Sequence, residues 1–257
     1  MTCDCLQTPS GISIYHAGPP LSQGKLPAFF YFSISGEESL TLPPYNTPVE
    51  LLKMTSLRVF SLTLPFHGEG YDKFHAMKEW LKAFNSQDNF LGPFLEAANE
   101  ALEWLVETEI VDENAIAVGG LSRGGFIATH FAASNSRIKT VLGFAPLTRL
   151  QELQGFASFQ KETLEPLVEP SNLVAIIPSL LHVQNFRFYM GNHDTCVGTD
   201  ACYDFIRKYV LKAYEERARH CKIELYITPS IGRDGHGTSL STFQEGSLWI
   251  KKHLLNE

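Results

Sequence analysis

Gly119-Gly120-Leu121-Ser122-Arg123-Gly124-Gly125 is the stretch on which the reading of the whole chain turns. It holds the pattern G-x-S-x-G at Gly120, Ser122 and Gly124. A short apolar run, Ala115 to Val118, precedes it, and Phe126 to Ala133 reads as a helix after it. Strand, turn, helix is the context in which the pattern has a mechanism. The turn must be sharp, with the serine at its apex in strained backbone angles. Neighbouring positions must then be small, so that strand and helix can approach. Such an apex lifts the hydroxyl clear of the sheet and turns the backbone N–H of Arg123 toward developing negative charge, where the helix dipole helps. A glycine-rich turn that merely packs is the alternative reading of the same residues.

Outward from this turn the chain alternates short apolar runs with amphipathic stretches, which predicts a βα-alternating fold with a mainly parallel sheet. The runs are Pro27 to Phe32, Leu57 to Leu64, Ala115 to Val118, Thr140 to Phe144, Phe186 to Met190 and Ile223 to Ile227, with Ile12 to Tyr15 as an edge strand. Ala28-Phe29-Phe30-Tyr31-Phe32 is apolar without interruption, as expected of a strand buried on both faces. Helical spacing appears at Phe94, Ala98, Ala101, Leu102 and Leu105, then at Cys202, Phe205, Ile206, Tyr209 and Ala213, then at Phe243, Ile250 and Leu254. Gly70 to Phe84 is read as helical too. Segment 147–183, with Pro166, Pro170 and Pro178, breaks the alternation. It reads either as a small helical cover over the site or as a crossover with long loops.

The arrangement resembles the α/β-hydrolase fold family, closest to its compact esterase, dienelactone-hydrolase and prolyl-oligopeptidase-like branches. The resemblance covers nearly the whole chain in element order and is specific near Ser122, Asp194 and His236. It implies one α/β-hydrolase domain over residues 1–257, a mainly parallel central sheet flanked by helices, and a small cap or none. Ser122 is then the nucleophile, which needs a base to take its proton. The family places that histidine in the loop after the last strand, and the only histidine in Thr228 to Gly237 is His236. The acid follows the strand before. Gly191-Asn192-His193-Asp194-Thr195-Cys196-Val197 resembles the family's G-x-x-D-x-x-V, so Asp194 is expected to hold the imidazole in its working tautomer. The order Ser122, Asp194, His236 is the family's. Asp200 reads instead as a helix cap, Asp234 lies too near His236 in sequence to brace it, and His193 reads as a rim or solvent residue.

The resemblance also implies two oxyanion donors, the backbone N–H of Arg123 and one in the loop Ser33-Ile34-Ser35-Gly36. The family often has His-Gly there and this chain has Ser33-Ile34, which leaves Ser33, Ile34 and Ser35 open, with Ile34 preferred. Pro65-Phe66-His67-Gly68 resembles a structural turn beside the pocket. Phe66, Leu147 and Val197 are candidates to line an acyl pocket, and the Arg123 side chain either pairs with an acidic substrate group or is solvated.

Composition narrows the function. The chain has 257 residues, 44% hydrophobic and 19% charged, enough to bury a core without disulfide or metal. A net charge of −7 with no basic run argues against a nucleic-acid partner. No apolar run is long enough to span a membrane. Met1-Thr2-Cys3-Asp4-Cys5 lacks the marks of a secretory signal, and five cysteines read as reduced thiols, so a cytoplasmic location is expected. Cys3 and Cys5 lack the further ligands of a zinc site. The first functional reading is a serine esterase or thioesterase acting on a small-molecule ester, with no cofactor and no metal. The second is a small serine peptidase of the prolyl-oligopeptidase-like type. The third is a binding module on the same scaffold without chemistry.

Overall fold

The uninterrupted apolar run Ala28 to Phe32 becomes a strand buried on both sides. A computed structural model of the chain describes residues 3–72, 75–153, 156, 166 and 168–255. Its strands are β1 (Asp4–Gln7), β2 (Ser13–Ala17), β3 (Leu26–Phe32), β4 (Arg58–Ser61), β5 (Val111–Leu121), β6 (Thr140–Phe144), β7 (Asn185–Gly191) and β8 (Lys222–Thr228). They form one sheet in the order β1-β2-β4-β3-β5-β6-β7-β8. The β1/β2 and β2/β4 pairings are antiparallel, and all others are parallel.

Helices cover both faces: α1 (Gly36–Thr41), α2 (Thr47–Leu52), α3 (Ala76–Asn85), α4 (Leu91–Glu107), α5 (Arg123–Ser134), α6 (Thr199–Glu215) and α7 (Leu240–Leu255). The strand pleat sends alternate side chains to opposite faces. Ala28, Phe30 and Phe32 of β3 join the core built with α4, α5 and α6. Phe29 and Tyr31 join the core built with α2 and α7. Each buried aromatic contributes about 1.5–3 kcal/mol, and β3 supplies four of them, Phe29, Phe30, Tyr31 and Phe32, none with exposed surface.

The structure corrects the sequence reading at several elements. The strand expected at Ile12 to Tyr15 is β2, and it is not the edge: β1 pairs outside it, with Asp4 opposite His16. A short, exposed edge strand needs no apolar pattern, and Asp4–Gln7 has none. β5 begins at Val111 rather than Ala115, through the polar, solvent-facing Asp112, Glu113 and Asn114. Helices α1 and α2 were not expected; at six residues each they are too short to show a helical period. Ser35-Gly36-Glu37-Glu38 did carry a signal, because Ser35 Oγ accepts from Glu38 N–H (3.2 Å) and donates to the Glu38 carboxylate (3.1 Å). Asp200 sits in the first turn of α6, but Gly198 is the cap.

In segment 147–183, Leu147, Leu150, Leu153, Phe156, Val168, Leu173, Ile177, Leu180 and Val183 all pack into the main core. Residues 154, 155, 157–165 and 167 of this segment lie outside the described residues. Among the described residues no helix is long and apolar enough to cross a membrane. All five cysteines are free thiols.

Candidate active site

Local sterics shape the turn between β5 and α5. Ser122 has φ 56° and ψ −118°, an angle pair that costs an L-residue of order 1–3 kcal/mol. Backbone bonds hold it there: its N–H donates to Phe144 O (2.8 Å), and its carbonyl accepts from Gly125 N–H (3.0 Å) and Leu147 N–H (3.1 Å). A Cβ on Gly124 would collide with the Phe32 carbonyl, and one on Gly120 with the backbone of Gly124. These two glycines let β3, β5 and α5 meet.

His236 reaches this turn from the loop after β8. Its Nε2 lies 2.8 Å from Ser122 Oγ, and its Nδ1 lies 2.7 Å from Asp194 Oδ2. An ionised carboxylate only accepts, so Nδ1 carries the proton and Nε2 is left to accept from the Ser122 hydroxyl. Asp194 lies on the loop after β7, with its side chain fully buried. Burial alone would raise its pKa. The hydrogen bond and charge of His236, with the backbone N–H groups of Val197 and Cys196 on Oδ1, outweigh that and hold it below the usual carboxylate range.

The two loops are laced together. Thr195 N–H donates to Asp234 O (2.9 Å), His193 N–H to Ser230 Oγ (2.7 Å), and Ser230 N–H to Asn192 Oδ1 (2.9 Å). The rivals lie apart from this line: His193 is exposed, and the Asp234 side chain pairs with Arg233 at 3.5 Å.

The loop after β3 corrects a preference. The N–H groups of Ser33 and Ile34 both donate to the buried Ser39 Oγ, at 3.1 and 3.0 Å. The Ile34 N–H is therefore already spent. Ser35 N–H has no partner among the described residues, and neither has that of Arg123, which as the first residue of α5 lacks one within the helix. Leu147 and Val197 are fully buried in the core, while Phe66 is partly buried and stacks edge-on against Tyr71 and Phe90. His67 is buried, with Nδ1 donating to Pro65 O (2.8 Å). Burial, then the charge of Arg123, push its pKa down to about 4.

The chain is similar over 99% of its own length, and 99% of the other's, to the solved structure of TT1662 from Thermus thermophilus, at 15% identity and a TM-score of 0.66. It is also similar to a 2,6-dihydroxy-pseudo-oxynicotine hydrolase, covering 99% of this chain and 68% of that one at 14% identity and a TM-score of 0.65. The dipeptidyl peptidase 4 of Porphyromonas gingivalis gives a TM-score of 0.66 at 14% identity, over 98% of this chain and 35% of that one. The chain has the α/β-hydrolase fold. No family model matches the sequence, and no curated protein does. Within the α/β-hydrolase fold, Ser122 stands on the strand–helix turn of β5, and the loops after β7 and β8 bring Asp194 and His236 to it.

Proposed function

We propose that the protein is a serine hydrolase that cleaves a carboxylic ester or thioester through an acyl-enzyme. The observation that carries this is the unbroken line Ser122 Oγ, His236 Nε2, His236 Nδ1, Asp194 Oδ2, with neither link longer than 2.8 Å. His236 takes the hydroxyl proton as Ser122 attacks the substrate carbonyl, and Asp194 stabilises the imidazolium. The N–H groups of Arg123 and Ser35 hold the oxyanion, with Ser35 taking the place expected for Ile34. His236 then protonates the leaving alcohol or thiol. Water, activated by the same histidine, releases the acid and restores Ser122. The hydrolase and peptidase names of two structural neighbours support hydrolysis. No cofactor or metal takes part in this scheme. The substrate is a small molecule, and the unpaired cysteines support a reducing, cytoplasmic setting.

Peptide cleavage is the second reading, favoured by the likeness to the dipeptidyl peptidase, of which this chain spans about a third. A panel of esters and short peptides separates the two. The test of the chemistry itself is labelling by a fluorophosphonate probe. We expect wild type to label, and Ser122→Ala and His236→Ala to remain unlabelled while folded. Folded wild type that does not label would overturn the proposal and leave a binding module.

A further inference from the structure

Arginine side chains in this protein follow a rule with one exception. Arg58 donates to the carbonyls of Pro19, Pro20, Gly24 and Ile110. Arg137 pairs with Glu103, Arg149 with Asp204 and Arg187 with Glu224. Arg207 and Arg233 are exposed and pair with Asp204 and Asp234. Arg217 and Arg219 are exposed, where water is the partner. Arg123 alone is partly buried with neither an ion pair nor a hydrogen bond among the described residues. A guanidinium does not shed its proton, and leaving one partly buried without an acceptor is costly.

The position of Arg123 is specific. One peptide bond, about 3.8 Å between Cα atoms, separates it from Ser122. The groups whose charge bears on the guanidinium are the Tyr45 hydroxyl and the Cys196 thiol, and neither is a carboxylate. A second group nearby is also unpaired. His67 is 5% exposed, and its Nε2 is buried without a partner. The charge of Arg123 reaches it and helps to keep it neutral. A cation without an anion on the residue after Ser122, and a buried nitrogen without a donor within reach of its charge, mark a corner suited to a polar part of the substrate.

We propose that the Arg123 guanidinium binds a carboxylate of the substrate, which makes the favoured substrate a monoester of a dicarboxylic acid with its second carboxyl free. This rests on the serine-hydrolase reading above. The planar fork of arginine suits two-point binding of a carboxylate. The backbone N–H of the same residue holds the oxyanion, so one residue fixes both ends of the acyl group. Hydrolysis consumes the monoester and one water and yields the dicarboxylate and the alcohol.

The test uses 4-nitrophenyl hydrogen adipate and its neutral counterpart, 4-nitrophenyl methyl adipate, each corrected for spontaneous hydrolysis. The quantity read is the ratio of the two kcat/KM values, in which changes to the shared chemistry cancel. Wild type is expected to favour the acid roughly ten- to hundred-fold, the range of a hydrogen bond to a charged group. Arg123→Met should bring the ratio to one or below, and Arg123→Lys should restore part of it. A wild-type ratio near one, or a preference that survives Arg123→Met, overturns the proposal while the hydrolase reading stands. Calorimetric binding of free adipate separates the two readings in the other direction. Adipate binding that Arg123→Met abolishes, in a protein whose serine does not label, would keep the anion site and sink the hydrolase. No adipate binding to wild type, with neither ester cleaved, overturns both.

Discussion

The Ser122 turn and the His236 loop deliver their side chains to the same point by opposite means. The turn is held by backbone: it joins β5 to α5 through glycines, against the Phe32 carbonyl, and lies under buried side chains. The loop Ile231–Asp234 is exposed, and its hold is a few hydrogen bonds to another loop, beginning with the 2.7 Å contact of His236 with Asp194. Ser122 is positioned by backbone sterics that a side chain at Gly120 or Gly124 would violate. His236 is positioned by long-range polar contacts that can be removed one at a time.

The comparison breaks first at the turn. Gly124→Ala drives a Cβ into the Phe32 carbonyl, and no flexible side chain can give way. We expect loss of the folded state, seen as the absence of a cooperative thermal transition by circular dichroism. A folded, active Gly124→Ala protein would mean that the turn is far looser than its geometry. Asp194→Asn is the next largest. It keeps the volume but disturbs the tautomer of His236, so kcat should fall about 10⁴-fold while the protein stays folded. A drop of only a few-fold in steady-state assays would show that the loop orients His236 without the acid.

Acid should expose the region behind the turn before it exposes the loop. His67, on the loop after β4, and His130, on α5, are both buried, and burial pushes each pKa down to about 4. Both folded values lie below that of an unfolded imidazole, about 6.5. The unfolded chain therefore binds more protons between pH 6.5 and 4, and stability falls as pH drops through that window. Each histidine contributes about 1.4 kcal/mol per pH unit there. Denaturant midpoints across the range should show a shallower slope in His130→Gln, and an unchanged slope would refute the assignment. The smallest effect belongs to the loop. Ser230→Ala removes the acceptor of the His193 N–H and should cost about 1 kcal/mol. Hydrogen exchange should localise that loss to residues 230–237, leaving α5 protected.

The same contrast explains what was legible. The glycine pattern around Ser122 announced a close backbone approach, which sequence can encode within seven residues. The central strands were legible because burial on both faces leaves them few polar positions, and β3 none. Strand β1 and helices α1 and α2 were not, because they are short and the first is solvent-facing. Arg58 gave no sign of being fully buried; its four carbonyl partners come from two separate segments, the connection from β2 to β3 and the residue before β5.

By itself the sequence determined the alternating fold and the serine on its strand–helix turn. Those features depend on neighbours a few residues apart, where sterics and periodicity act. Only the tertiary structure decided that Ile34 spends its N–H on Ser39 while Ser35 keeps its own. It alone showed that Arg123 lies partly buried without an anion, and that its charge reaches a buried, neutral His67. Hydrogen-bond partners and desolvation are set by groups that the chain brings together from afar, and no local pattern records them.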